Sequence, residues 1–492
     1  MDSATDLLAV DALPRLIERQ AERFPDRAAV EIGPRRLSYA EFARAIMSMT
    51  ARMMDADVPA DRIVAVDAGK PYLHWLALLA AQRLGLATIS VSGALSAEAL
   101  DRLRIGAVAG DGATFPGPLG GGRKRIAITD QGPPPQVAQP TRAAARIFQS
   151  SGTTGVAKAM VIDAERLGPR VAHYAAAFGP TETSRVAPLI GTGTALGYFL
   201  PLATWAAGGR VILPGDKSAA GLAAAVAAAT IVLSSPVSIA PVLDALAASP
   251  PKRRNRKLFL AGARLSARLR DRALALLCDA VTMVYGSVET GVLATGDAAL
   301  IDRDGGAVGF MADGATVEVV DGLGRPAPAG TAGIVRARTR CMAAGYWNDA
   351  GATRTFFRGG WFYPGDIGVL AADGMLSIDG RSGDVINIGG AKMSPAAIEH
   401  DLESIAGIDQ AAAAALQRAD GTDLLALAVV TAPDADWPTI EARIAMSMQG
   451  RPRAMTFRLP NLPRGEMGKL DRAGLAALLT SVLTDIDAKR GL

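Results

Sequence analysis

The middle of the chain alternates short, β-branched apolar runs with longer stretches rich in alanine and leucine. The apolar runs read RVILP, TIVLSS, KLFLAG and AVTMVYG, and the stretches between them read AGLAAAVAAA, VSIAPVLDALAAS and SARLRDRALALLCD. Short runs of the first kind are typical of strands, and the longer stretches have the composition of helices. This alternation predicts βαβ units and a largely parallel sheet.

The same alternation occurs earlier in the chain and is replaced by a different pattern later. RIVAVDAG, HWLALLAAQRLG and ATISVS predict another strand–helix–strand unit. After about Leu300, shorter runs separated by glycine and proline, such as ATVEVVDGLGRPAPAGTAGIVRAR, predict antiparallel hairpins. The tail from about Asp384 has a small strand–helix–strand pattern of its own. We therefore predict an α/β fold.

Length and charge limit the classes of protein to consider. At 492 residues the chain is too long for one ordinary hydrophobic core, so at least two domains are expected. The formal net charge of +4 is small for this length and argues against a dedicated nucleic-acid binder. The basic run KRRNRK at residues 252–257 is predicted to be a solvated loop or the start of a helix.

The cysteines, the histidines and the N-terminal residues bear on the expected cellular location and on metal binding. Cys278 and Cys341 lie far apart in the sequence and in no metal-binding spacing, so we expect no disulfide framework and a cytoplasmic location. The N-terminus carries acids where a signal peptide has bases. The apolar residues 75–91 are interrupted by Arg83 and predict a buried helix followed by a strand. None of the three histidines has a second ligand at helical spacing.

A glycine- and hydroxyl-rich loop follows an apolar lead-in at Ile147 and Phe148. It reads SSGTTGVAKA from Ser150, and its glycines permit backbone conformations that side chains forbid. Its hydroxyl groups and Lys158 together form a cradle for an anion, of which a polyphosphate is the obvious example. The spacing differs from that of a P-loop, because no Gly-Lys pair follows the first glycine. A flexible surface hairpin is the alternative reading.

The loop resembles the phosphate-binding signature of the adenylate-forming superfamily, except that Ala157 and Ala159 replace proline and glycine. Four further stretches resemble other blocks of that superfamily, in the same order: VYGSVETG, WFYPGDIG, GRSGDVINIGGAKMSPAAIE and LPRGEMGKLDR. The chain therefore resembles acyl- and aryl-CoA synthetases over most of its length. The resemblance implies a large N-terminal domain of βαβ-wound sheets with a small β-barrel-like part, followed by a small, mobile α+β C-terminal domain.

The implied reaction has two halves. A carboxylate attacks the α-phosphate of ATP and releases pyrophosphate, and a thiol then attacks the acyl-adenylate. By resemblance, Lys469 is catalytic and bridges the carboxylate and the α-phosphate, while Glu289 holds Mg²⁺. Cationic and N–H groups are needed at both steps because negative charge accumulates. ATP, Mg²⁺ and coenzyme A are the implied cofactors.

The remaining implied contacts follow the same blocks. The ATP phosphates would be bound by Ser150, Ser151, Gly152, Thr153, Thr154, Gly155 and Lys158. Adenine and ribose would be bound by Gly262, Ala263, Tyr285, Gly286, Asp366 and Arg381. Gly389 and Gly390 would flank the coenzyme A tunnel. We expect residues 1–380 to form the large domain, residues 381–384 the hinge with Gly383 at its pivot, and residues 385–492 the small domain.

Several departures from the superfamily pattern leave the substrate open. Val288 replaces a threonine, Asn387 stands where some relatives have lysine, and Gly191 stands where relatives often have histidine or an aromatic residue. The small residue at Gly191 suggests a roomier or differently gated acyl pocket. With Gly193 and Ser235 it predicts pocket walls of small, apolar character, which suit an uncharged, mainly hydrophobic acid, aromatic or medium-chain. Arg264 is a candidate for binding a second carboxylate.

The acceptor and the catalytic status also stay open. The sequence carries no phosphopantetheine attachment site, so we expect a free-standing acid–thiol ligase. Coenzyme A is the favoured acceptor, and a separate carrier protein is the alternative. A non-catalytic nucleotide-binding homologue is a further reading. No nucleic acid or membrane span is expected, and a homodimer is left open.

Overall fold

The fold was obtained as a computed structural model. It describes residues 13–91, 96–110, 119–130, 144–150, 158–216, 218–247, 255–384, 386–388, 391–418, 422–432, 435–464 and 470–490.

The first part of the chain supplies strands to both main sheets and the helices that cover them; its first two strands join the larger sheet and the other four join the smaller one. Its strands are β1 (Ala28–Ile32), β2 (Arg35–Ser38), β3 (Ile63–Asp67), β4 (Ala87–Ser90), β5 (Ile105–Gly110) and β6 (Lys124–Ala127). Its helices are α1 (Leu16–Arg23), α2 (Tyr39–Asp55), α3 (Pro71–Arg83) and α4 (Ala97–Arg102). Helix α2 begins at a capping box in which the Ser38 hydroxyl accepts from the Glu41 N–H and the Glu41 carboxylate accepts from the Ser38 N–H.

The central part follows the predicted alternation of strand and helix. Its strands are β7 (Arg146–Ser150), β8 (Lys158–Ile162), β9 (Arg185–Pro188), β10 (Arg210–Leu213), β11 (Ile231–Ser234), β12 (Lys257–Ala261) and β13 (Ala280–Ser287). Its helices are α5 (Ala164–Phe178), α6 (Ala195–Ala206), α7 (Ala219–Ala228), α8 (Pro236–Ala247) and α9 (Ala267–Leu276). Strands β9 to β13 pair in parallel, so the predicted βαβ units are present.

After β13 the chain turns antiparallel. The strands are β14 (Gly291–Asp297), β15 (Ala307–Met311), β16 (Ala315–Val320), β17 (Ala332–Thr339), β18 (Phe357–Arg358), β19 (Trp361–Phe362), β20 (Asp366–Leu370) and β21 (Leu376–Arg381), with helix α10 at Ala350–Phe356. The predicted hairpin is β16 and β17, which pair antiparallel. Strands β13 and β14 also pair antiparallel, and this pairing joins the parallel and antiparallel regions.

The last part of the chain has sheets of its own. Its strands are β22 (Ile386–Ile388), β23 (Ala391–Met393), β24 (Ile408–Gln417), β25 (Asp423–Thr431) and β26 (Ala454–Arg458), and its helices are α11 (Pro395–Glu403), α12 (Trp437–Ser447) and α13 (Arg472–Arg490). Strand β25 alternates between two cores. Leu425 and Leu427 face α11 and α12, whereas Ala426 and Ala428 face α13.

Two large sheets share the main hydrophobic core. Among the described residues, the order of the smaller sheet is β6-β5-β3-β4-β7-β8, and that of the larger is β18-β19-β17-β20-β21-β15-β14-β13-β12-β11-β9-β10-β1-β2, with β16 paired to β17. Apolar residues from both sheets and from α2, α3, α5 and α6 form one buried cluster. At its centre the Trp205 ring packs against Trp75 and Phe42, with ring centroids 4.9 and 5.3 Å away.

The prediction for the basic run was wrong at its C-terminal end. Residues 252–254 lie outside the described residues, but Arg256 is buried and Lys257 begins strand β12. The Arg256 guanidinium donates to the carbonyl groups of Ala227 (2.5 Å), Val226 and Leu277. These carbonyls lie at the ends of neighbouring helices, so the charge fixes helix ends to the sheet and is not solvated.

The β13–β14 hairpin requires a glycine at position 286. A Cβ atom there would collide with the carbonyl oxygen of Gly291 on the paired strand. We expect Gly286→Ala to lower the free energy of unfolding by about 1–3 kcal/mol, because the added methyl group forces the strands apart. Urea denaturation measures the difference. Gly322→Ala is the control, because a Cβ at that exposed position meets no atom within 4 Å; equal losses in both variants would contradict the packing argument.

Candidate active site

A tyrosine, an aspartate and an arginine meet near the ends of three strands of the large sheet, β13, β20 and β21. The Tyr285 hydroxyl donates to Oδ2 of Asp366 at 2.6 Å, and Nε of Arg381 lies 3.3 Å from Oδ1 of the same carboxylate. Asp366 and Arg381 are direct cross-strand partners, which explains their contact. Asp366 is buried with only 7% of its surface exposed. The structure thus brings together three of the residues predicted to bind adenine and ribose.

The local geometry of this cluster depends on Gly365. Its φ of +81° is in the region that favours glycine, and it turns the chain into the first residue of β20. The Ser382 N–H donates to the Gly365 carbonyl at 2.8 Å and thereby ties this turn to the end of β21. Burial, and after it the Asp366 charge, raise the pKa of Tyr285 well above its usual range. The phenol is therefore a protonated donor at all ordinary pH values.

A second cluster surrounds Glu289, in the turn between β13 and β14. The carboxylate is buried with 7% of its surface exposed, and its Oε1 accepts from the Tyr346 hydroxyl at 2.8 Å. The Ala343 N–H donates to the Glu289 carbonyl at 2.8 Å. Burial and then the Glu289 charge raise the pKa of Tyr346, so this phenol also stays protonated. Tyr346 lies in none of the motifs identified in the sequence and was missed.

The same segment carries Lys158, the last residue predicted to bind phosphate. The Trp347 N–H donates to the Ala159 carbonyl at 2.7 Å, so the chain beside Tyr346 runs along strand β8. The Lys158 Nζ lies 4.0 Å from the Phe356 ring centroid and 5.5 Å from the Tyr346 ring centroid. Lys158 and Glu289 therefore both contact one tyrosine, Lys158 at its ring and Glu289 at its hydroxyl.

Arg381 connects the two clusters. Its charge lowers the pKa of Tyr285 and of Tyr346, against the larger effect of burial on each. The Arg381 charge thus acts on both phenols. Two buried carboxylates, Asp366 and Glu289, thus share one neighbourhood with two cations, Arg381 and Lys158.

A buried arginine holds the Glu289 turn in place. Arg170, in α5, has no exposed surface. It donates to the carbonyls of Glu289 (2.9 Å), Cys341 (2.6 Å) and Val288. A single arginine in an amphipathic helix has no sequence signature, and so this residue was missed. The Val288 side chain packs against the main core, which gives a structural reason for an apolar residue where relatives have threonine.

The predicted adenine loop lies at the end of β12. Gly262 has a φ of +90° and Ala263 is exposed, so backbone is accessible at this turn. Arg264, considered for a second substrate carboxylate, instead donates to the carbonyls of Ala396 (3.0 Å) and Ile378 (3.1 Å). Its guanidinium is engaged between the large sheet and helix α11, and we withdraw it as a substrate ligand.

The three residues predicted for the acyl pocket have different surroundings. Gly191 and Gly193 are exposed in the loop before α6. Ser235 is buried, and its hydroxyl accepts from the Ser238 N–H at 3.1 Å and donates to the Ser238 Oγ at 2.8 Å at the start of α8. That hydroxyl therefore already makes hydrogen bonds within its own turn.

A second buried arginine, also missed from the sequence, supports the acyl loop. Arg146 donates to the Thr192 carbonyl at 2.9 Å and to the Ser90 hydroxyl at 2.5 Å. Its guanidinium lies over the rings of Phe148 and Tyr198, at 5.0 and 4.9 Å from their centroids. Burial lowers the pKa of Arg146 to about 10, which still leaves it charged at neutral pH. A fixed cation thus lies directly beneath the Gly191–Gly193 loop.

Several predicted residues lie outside the described part of the chain. They are Ser151, Gly152, Thr153, Thr154, Gly155, Gly389, Gly390 and Lys469. Ser150 ends strand β7. Gly383 lies in the turn between β21 and β22, where a Cβ atom would meet nothing within 4 Å.

The residues present fit a magnesium ion bound together with a triphosphate. Mg²⁺ takes one or two protein carboxylates and completes its shell with phosphate and water oxygens. Glu289 supplies one buried carboxylate beside Lys158. Within the described ranges, no group of three or more His, Cys, Asp or Glu side chains could hold a metal on its own. A metal here would therefore depend on the nucleotide for most of its ligands.

Residues 108–347 match the family model for AMP-binding enzymes. The chain belongs to this family. The resemblance inferred from the motifs is thereby confirmed. The chain is also similar to the 3-hydroxybenzoate–CoA/4-hydroxybenzoate–CoA ligase of Thauera aromatica, to which it is 30% identical over 352 residues, 68% of this chain and 66% of that protein.

Two further similarities concern the acceptor and the fold. The medium/long-chain-fatty-acid–[acyl-carrier-protein] ligase FadD10 of Mycobacterium tuberculosis is 31% identical over 216 residues, so the chain spans about two fifths of its length (40% of each protein). The ATP-bound crystal structure of MatB from Rhodopseudomonas palustris superposes with a TM-score of 0.80 at 20% identity, covering 96% of this chain and 99% of that one. The predicted α/β fold class is confirmed by this superposition.

No helix in the described ranges combines the length and apolar character that crossing a membrane requires.

Removing the Arg170 guanidinium should loosen the Glu289 turn. We expect Arg170→Met to lower the free energy of unfolding by about 3 kcal/mol, because three buried carbonyls lose a donor. Thermal and urea unfolding measure this loss. The control is Arg338→Met, because Arg338 is exposed and stacks on the Trp361 ring, and its loss should stay within about 0.5 kcal/mol. A similar loss in the two variants would show that the carbonyl contacts contribute little.

Proposed function

We propose that the chain is an ATP-dependent acid–thiol ligase. It activates a carboxylic acid as an acyl-adenylate with release of pyrophosphate, and transfers the acyl group to the thiol of coenzyme A. The observation that carries the proposal is the contact of Lys158, Glu289 and the Asp366–Arg381 pair with two half-buried tyrosines, Tyr346 and Tyr285.

The charges in this neighbourhood suit a nucleotide. A buried carboxylate such as Asp366 can accept hydrogen bonds from both hydroxyls of a ribose, and the adjacent Arg381 can contact the α-phosphate. Lys158 offers a point charge to the β- and γ-phosphates at the end of the glycine-rich loop. Glu289 would hold a magnesium ion that neutralises the phosphate charge and favours departure of pyrophosphate. Each residue thus offsets negative charge or binds a group that ATP has and a simple acid lacks.

The acid itself has to reach the α-phosphate in line with the leaving group. The exposed glycines of the loop before α6 leave room for it, and Arg146 beneath that loop gives the pocket floor a positive potential. Two negatively charged reactants approach each other at this step, so a cation that contacts both lowers the barrier. We assign that role to Lys469, on its motif alone.

The names of the relatives support a thiol acceptor and leave two candidates. The Thauera aromatica relative uses coenzyme A and an aromatic acid, and the Mycobacterium tuberculosis relative uses an acyl carrier protein and a fatty acid. We favour coenzyme A and an uncharged aromatic or medium-chain acid, because the alignment with the coenzyme A ligase covers more of the chain. A carrier-protein acceptor is the second candidate.

A screen of carboxylic acids tests the proposal. The purified chain is incubated with ATP, Mg²⁺ and benzoic, hydroxybenzoic, cinnamic, indolic and medium-chain acids, and pyrophosphate and AMP are measured with and without coenzyme A. We expect at least one acid to release pyrophosphate, and coenzyme A to increase AMP release. Binding of ATP without pyrophosphate release from any acid would favour a non-catalytic nucleotide-binding homologue instead.

Lys469→Ala separates the two half-reactions. We expect this variant to lose adenylate formation by about a hundredfold or more, because one charge stabiliser is removed from the transition state. Thioester formation from a supplied acyl-adenylate should be retained. The control is Lys124→Ala, a change at an exposed strand position in the smaller sheet, which should behave as the unchanged protein. Equal loss of both half-reactions in Lys469→Ala would refute the role of Lys469.

The domain boundaries, the hinge at Gly383, the tunnel at Gly389 and Gly390, the cytoplasmic location and the homodimer remain predictions. The strand pattern is consistent with the first of these, since β21 ends at Arg381 and the following strands join other sheets.

A further inference from the structure

Tyr346 contacts both groups that would handle the triphosphate and its metal. Its hydroxyl donates to Glu289 Oε1 at 2.8 Å, and its ring centroid lies 5.5 Å from the Lys158 Nζ. Neither the phosphate loop nor the Glu289 block contains this tyrosine, which belongs to the segment MAAGYWND. One side chain therefore links two parts of the site that are far apart in the sequence.

The tyrosine is itself held from several directions. Its N–H donates to the Thr353 hydroxyl at 2.9 Å, and its backbone forms an antiparallel bridge with Met160 of β8. Its ring meets the edges of Phe356 and Phe357 at centroid distances of 5.9 and 5.7 Å, with interplanar angles of 78° and 74°. A ring fixed by a strand on one side and two aromatic residues on the other has little freedom to reorient.

The position of the hydroxyl determines where the Glu289 carboxylate points. Within the described ranges, the structure gives this buried carboxylate one hydrogen-bond donor, the Tyr346 hydroxyl. A donor on Oε1 fixes the plane of the carboxylate and leaves acceptor capacity for a cation.

The Tyr346 ring contacts the second group, Lys158. The Lys158 Nζ lies 4.0 Å from the Phe356 ring centroid and 5.5 Å from the Tyr346 ring centroid, distances at which a cation is attracted to an aromatic ring. Loss of the Tyr346 ring would therefore remove one of the contacts that hold this ammonium group in place.

We propose that Tyr346 is a positioning residue for the metal–triphosphate complex. Its hydroxyl orients Glu289 toward the cation and its ring keeps Lys158 extended toward the phosphates. This inference rests on the proposed use of ATP and Mg²⁺. It assigns a role to a residue outside the motifs named above, that of holding the metal ligand Glu289 and the phosphate ligand Lys158 in position.

The test compares Tyr346→Phe, which removes only the hydroxyl, with Tyr346→Leu, which also removes the ring. Binding of Mn²⁺ in the presence of ATP is measured by electron paramagnetic resonance, and binding of ATP without divalent metal is measured by calorimetry. We expect Tyr346→Phe to weaken Mn²⁺ binding by roughly tenfold to a hundredfold, the usual effect of removing a hydrogen-bond partner from a metal ligand. Metal-free ATP binding should be unchanged in Tyr346→Phe and weakened in Tyr346→Leu.

Tyr39→Phe is the matched control. The Tyr39 hydroxyl also donates a buried hydrogen bond, to the Gly209 carbonyl at 2.6 Å, at a distance from the site. Both phenylalanine variants should lose some thermal stability, but Tyr39→Phe should bind Mn²⁺ as the unchanged protein does. The inference is overturned if Tyr346→Phe binds Mn²⁺·ATP normally, or if Tyr39→Phe weakens binding equally.

The outcome can be separated from that of the proposed function. If the unchanged protein binds Mn²⁺·ATP but activates no acid, the ligase assignment fails while the role of Tyr346 is still decided by the binding ratio. If the unchanged protein binds no Mn²⁺ with ATP at millimolar concentrations, the positioning role is refuted together with the metal site.

Discussion

Arg170 is the constraint on which the candidate site depends. It is a fully buried cation that gives its hydrogen bonds to main-chain carbonyls on two separate segments, the Glu289 turn and the chain at Cys341. Burying an arginine without a carboxylate is costly, and the contacts recover that cost only if both segments stay in place. The turn that carries Glu289 and the segment that leads to Tyr346 are therefore fixed relative to each other before any ligand arrives. Asp366, Tyr285 and Lys158 then meet around a rigid frame.

Much of the fold could be read from the sequence because it depends on local pattern. The alternation of β-branched and alanine-rich stretches between residues 210 and 287 gave the right order of strands and helices, since parallel strands buried on both faces need continuous apolar runs. The change to hairpins after about Leu300 was also correct. Arg256 was assigned wrongly, because a basic residue that bonds to helix-end carbonyls looks the same in sequence as a solvated one.

The site was predictable only where motifs carried it. Tyr285, Asp366 and Arg381 come from three separate blocks, and their meeting follows from strand pairing that the blocks do not encode. Tyr346, Arg170 and Arg146 were missed, because each acts through contacts with residues distant in sequence. Arg264 was misjudged for the same reason: its length and charge suited a pocket, but its partners are carbonyl groups elsewhere.

The two carbonyls that Arg264 binds have a mechanical consequence. Ile378 precedes Gly383 and Ala396 follows it, so a turn of the chain about that glycine would stretch one of the bonds and spare the other. A hydrogen bond from a guanidinium contributes about 1.5–3 kcal/mol, so this contact resists movement of helix α11 away from the loop that follows β12. Because Arg264 directly follows Gly262 and Ala263, such a movement would also displace the backbone of that loop.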